Sequence, residues 1–61
     1  MKRFVYVFCR FHLKNEWPAR FNYELINAET PEEVYAKGLA LMMGSHPPAA
    51  GWDFNDYVVE I

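Results

Sequence analysis

The chain is expected to fold as a single α+β domain over residues 1–61, of order β-β-α-β. Its three-stranded sheet has strand order 2-1-3, antiparallel, with one helix packed on one face. Three observations lead there. Sixty-one residues leave room for one domain. Three segments alternate β-branched and aromatic side chains with polar ones. Between the second and third of these stands one strong helix-start signal, Thr30-Pro31-Glu32-Glu33.

Residues 3–14, RFVYVFCRFHLK, hold too few good helix formers for anything but a strand. Alternation sends Val5, Val7, Cys9, Phe11 and Leu13 to one face. Phe4, Tyr6, Phe8, Arg10, His12 and Lys14 go to the other. Both faces are apolar in the first half, the pattern of a central strand covered on two sides. Asn15 to Ala19 forms a proline-containing connection. A second, half-buried strand runs from Arg20 to Ala28, with Phe21, Tyr23 and Leu25 opposite Asn22, Glu24 and Ile26.

The helix begins after Thr30, whose hydroxyl caps the first turn while Pro31 sits where its missing N–H costs nothing. Glu33 reaches back to close a capping box, and the acidic turn suits the positive end of the helix dipole. At 100° per residue, Leu41, Val34, Gly38, Met42, Tyr35 and Leu39 occupy one arc. Gly38 lies inside that arc and is expected to let the helix approach the sheet closely. Gly44 is expected to end the helix in a left-handed conformation. Ser45 to Gly51, with two prolines, is a loop, and Trp52 to Ile61 returns to a strand.

The crossover through the helix makes strands 2 and 3 parallel to each other, either as neighbours or with strand 1 between them; the second order is preferred because it puts the most apolar strand in the middle. Charge fits this order. Net charge is −2. Residues 1–20 carry Lys2, Arg3, Arg10, Lys14 and Arg20 against Glu16, a balance of +4. Residues 21–61 carry Lys37 against Glu24, Glu29, Glu32, Glu33, Asp53, Asp56 and Glu60, a balance of −6. Cross-strand pairing is expected to cancel much of this asymmetry.

Composition excludes several classes. At 52% hydrophobic and 23% charged residues, the chain is globular rather than disordered. No apolar run approaches the length of a membrane helix, and MKRFVYVFC has neither the core nor the cleavage site of a signal peptide. The single Cys9 cannot form an internal disulfide and fits a cytoplasmic location. The chain begins with Met1 and reads as a whole protein, with the proportions of small accessory proteins of phage and mobile elements.

Chemistry-bearing constellations are sparse. Cys9 and His12 face opposite sides of one strand, and His46 lies in a loop, so no metal site is expected. The same parity separates Asp53 from Asp56 as an acid/base pair. Ser45-His46 lacks an orienting acid, and no phosphate-cradling glycine loop occurs. Neither catalysis nor a cofactor is expected.

One helix covers one face of a three-stranded sheet, and the first strand is apolar on both. A helix on the valine face leaves Phe4, Tyr6 and Phe8 as an uncovered aromatic patch; a helix on the aromatics leaves the valine face bare. A second copy of the chain is the simplest cover. The candidate interface residues are Phe4, Tyr6, Phe8, Arg10, His12, Trp17 and Trp52, the tryptophans as plugs of the core ends or as interface anchors. The expected function is a protein-binding or regulatory module acting as a homodimer, with neither nucleic acid nor membrane as partner. The alternative is single-strand nucleic-acid binding, with Tyr6 and Phe8 stacking bases while Arg10, His12 and Lys14 contact phosphates.

Overall fold

A computed structural model describes residues 1–14 and 18–61. Strand β1 (Lys2–His12) is followed by β2 (Arg20–Ala28), helix α1 (Pro31–Ser45) and β3 (Trp52–Glu60). The three strands form one antiparallel sheet in the order β2-β1-β3. The central place of β1 follows from its composition, since this strand alone is apolar on both faces over most of its length.

Register fixes what shares each face. Phe4 pairs with Ile26 and Glu60, Tyr6 with Glu24 and Val58, and Phe8 with Asn22 and Asp56. On the opposite face Val5 stands between Leu25 and Val59, Val7 between Tyr23 and Tyr57, and Cys9 between Phe21 and Asn55. The helix lies on the first of these faces. Phe4, Tyr6 and Phe8 are at most 1% exposed there, in a core shared with Ile26, Ala28, Val34 and Met42 and flanked by Leu39, Phe54 and Val58.

Gly38 explains why the helix chose the aromatic side. The Tyr6 ring lies directly beneath it, and a Cβ at that position would collide with three atoms of the ring. The missing side chain makes room for a large one on the sheet. A valine face would leave a gap there, and unfilled volume costs stability.

The helix start keeps the expected Thr30 cap and Pro31, while among the described residues the Glu33 side chain makes no return bond to the Thr30 N–H to close a capping box. Thr30 is extended, its side chain accepts from the Glu33 N–H at 3.4 Å, and Pro31 opens the first turn. The helix end differs. Gly44 lies inside the helix, which runs on through Ser45 to a cap at His46, whose N–H donates to the Met42 carbonyl at 2.6 Å. The left-handed glycine is instead Gly51, with φ of 84°, in the turn that launches β3.

The buried arc is also narrower than expected. Val34, Gly38 and Met42 are buried and Leu39 half-buried, while Leu41 is exposed and Tyr35 touches Tyr6 edge-on from the margin. Three strands offer a floor too narrow for six helical positions. Strand β1 ends at His12, two residues early, where Leu13 and Lys14 turn away.

Cross-strand ion pairing does not occur as expected. Among the described residues one ion pair forms, between the N-terminal amine and Glu29 at 3.8 Å. Register is the cause. Arg10 pairs with Arg20 on one side and Phe54 on the other, and Arg3 pairs with Asn27.

Candidate functional site

Helix α1 shelters one side of the sheet, and the other side is bare. Leu25, Tyr23 and Phe21 of β2 flank Val5, Val7 and Cys9 of β1, with Val59 and Tyr57 of β3 completing the surface. Period-2 alternation in three paired strands brings these side chains to one plane. The five residues on the edge strands are between 47% and 66% exposed. Three aromatic rings of about 200 Å² each, half exposed, already present about 300 Å² of apolar surface. Leu25 and Val59 bring it to roughly 500 Å², at the upper end of what monomers expose in one patch.

Arg3 lies at one end of this face, beside Asn27. Asp53 lies at the other end, opposite Phe11. Val7 sits midway between Arg3 and Phe11 in the sequence, four positions from each. Apolar in the middle and oppositely charged at its ends, the face has the composition of an interface core with a polar rim.

The expected interface residues fall into three groups. Phe4, Tyr6 and Phe8 lie under the helix, so the aromatic patch is core and the exposed surface is the valine side. Arg10, His12 and Trp52 share the covered side of the sheet, beyond the core. His12 meets the Trp52 ring edge-on at 5.5 Å between centroids. Trp17 lies outside the described residues.

Among the described residues, Tyr6 is the titrating group that the fold strongly perturbs. Burial, and then donation of its hydroxyl to Asp56 Oδ2 at 2.7 Å, holds the phenol well above the usual tyrosine range. This is a structural tie between β1 and β3.

Parity separates the remaining polar groups as the sequence requires. Cys9 faces the open side and His12 the covered side; Asp53 and Asp56 are divided likewise. The Ser45 hydroxyl donates to the Leu41 carbonyl at 2.8 Å and also lies 2.9 Å from His46 Nδ1. With its proton given to Leu41, Ser45 can only accept from His46, the reverse of what a base-activated nucleophile needs.

Sequence reasoning passed over Phe21, Tyr23, Leu25, Tyr57 and Val59 as a surface. A signal was present. Gly38 in the middle of the helix arc calls for a large ring beneath it, and only the even-numbered face of β1 supplies rings there.

Comparison with protein-family models, with curated proteins and with solved structures found no match to this chain.

Proposed function

We propose that the protein is a non-catalytic binding module that works as a two-fold homodimer through the open face of its sheet. The observation that carries this is the open face on which Phe21, Tyr23, Leu25, Tyr57 and Val59 stand exposed around a half-buried Val5 and a buried Val7. Two copies packed face to face would remove about 1,000 Å² from water, the lower bound of a specific interface. Charge selects the occupant and its orientation. A two-fold axis crossing the strands near Val7 lays Arg3 of each copy over Asp53 of the other, and the aromatic middles coincide. The lone thiol of Cys9 suits work in a reducing, cytoplasmic compartment.

Burial of Tyr6 and Phe8 under the helix counts against the nucleic-acid reading, because neither ring is open to stack a base.

Light scattering coupled to size exclusion tests the proposal. The native chain is expected at twice 7.2 kDa. Tyr23→Asp, placed on an exposed side chain of an edge strand, is expected to give the single-chain mass with unchanged far-ultraviolet circular dichroism. A native chain that stays at 7.2 kDa at micromolar concentration refutes the reading. So does a dimer that Tyr23→Asp leaves intact.

A further inference from the structure

The covered side of the sheet is longer than the helix that covers it. Fifteen helical residues span about 22 Å, whereas the eleven of β1 span about 36 Å. The far end, past Phe8, is therefore closed by the loop that follows α1. It leaves a cavity of about 230 Å³ lined by Arg10, Arg20, Pro47, Ala49 and Trp52. That equals the volume share of roughly seven or eight waters, enough for a small ligand.

We propose that this cavity binds a phosphate monoester, with its oxygens on Arg10 and Arg20 and its organic part against Trp52. Arg10 and Arg20 stand directly opposite each other on neighbouring strands, an arrangement that costs stability when nothing negative lies between them. No carboxylate among the described residues lies within ion-pair distance of either. Asp56 is engaged by Tyr6, and Asp53 is on the other face of the sheet.

The Arg10 guanidinium is held in place, since Nη2 donates to Asn22 Oδ1 at 3.1 Å. Its Nε is buried and meets no acceptor among the described residues. Asn22 is a neutral acceptor, so the positive charge of this fixed guanidinium stays uncompensated, and an oxyanion settling on its fork would compensate it. Two guanidinium forks match the three oxygens and near-double charge of a phosphate ester better than the two oxygens of a carboxylate. Trp52 and Pro47 offer apolar walls for the ester's organic group.

Calorimetric titration of the native chain with adenosine monophosphate, inorganic phosphate and adenosine tests the assignment. The monophosphate is expected to bind more tightly than inorganic phosphate and to weaken as salt is raised, and adenosine is expected to give no signal. Arg20→Gln, on an exposed edge-strand residue, is expected to weaken the monophosphate about tenfold or more with dimer mass and circular dichroism unchanged. Trp52→Ala should weaken the monophosphate and spare inorganic phosphate. Absence of heat with the monophosphate at millimolar concentration overturns the proposal. An Arg20→Gln variant that binds as well as the native chain does the same, as does adenosine binding as tightly as its phosphate. The cavity lies on the side of the sheet away from the open face, so none of these outcomes bears on the dimer.

Discussion

The Tyr6 hydroxyl joins the buried core to a charged partner, and that gives the molecule a pH limit. In the unfolded chain the phenol loses its proton near pH 10, while in the folded chain burial and the Asp56 hydrogen bond hold the proton on to much higher pH. Below about pH 10 both states carry the proton and the group contributes no pH dependence. Above it the unfolded chain binds fewer protons, so stability falls by up to about 1.4 kcal/mol per pH unit. Tyr6→Phe removes this liability along with the hydrogen bond. Its deficit of about 1 kcal/mol at neutral pH should therefore shrink between about pH 9 and pH 11. Urea midpoints of both proteins across that range are the check; a constant deficit would refute the account.

Within the helix, two glycines have opposite meanings. Gly44 has open space where a Cβ would go, and its backbone is helical. Gly44→Ala is accordingly expected to stabilise the protein by up to about 1 kcal/mol, the difference in helix propensity. Gly38→Ala gains the same propensity but drives a methyl into the Tyr6 ring, which is fully buried and cannot give way. A net loss of about 1–3 kcal/mol is expected. Thermal melts of the two variants should move in opposite directions, and a Gly38→Ala variant as stable as the native chain would mean that the helix stands further from the sheet. The helix start was legible because Thr30, Pro31 and Glu33 act within one turn. The helix end was not, because glycine permits a left-handed turn without requiring one: Gly44 stays helical and the helix runs on to a cap at His46.

At the scale of the whole molecule, a 61-residue chain that leaves half of its sheet uncovered should owe part of its stability to a second copy. The melting temperature of the native chain is thus expected to rise with protein concentration, and that of Tyr23→Asp to stay flat. A native chain whose melting temperature ignores a hundredfold dilution would contradict this. The sequence by itself determined the strands, the helix start, the strand order and the fact that one apolar face must remain bare. Those follow from side-chain period, local capping chemistry and the limited reach of a single helix. Which face is bare was decided only in three dimensions, because both sides of β1 are apolar and the choice rests on the fit between Gly38 and the Tyr6 ring. The same holds for the meeting of Arg10 and Arg20. Alternation gives each residue a side, but only the pairing register tells it which residue stands across from it.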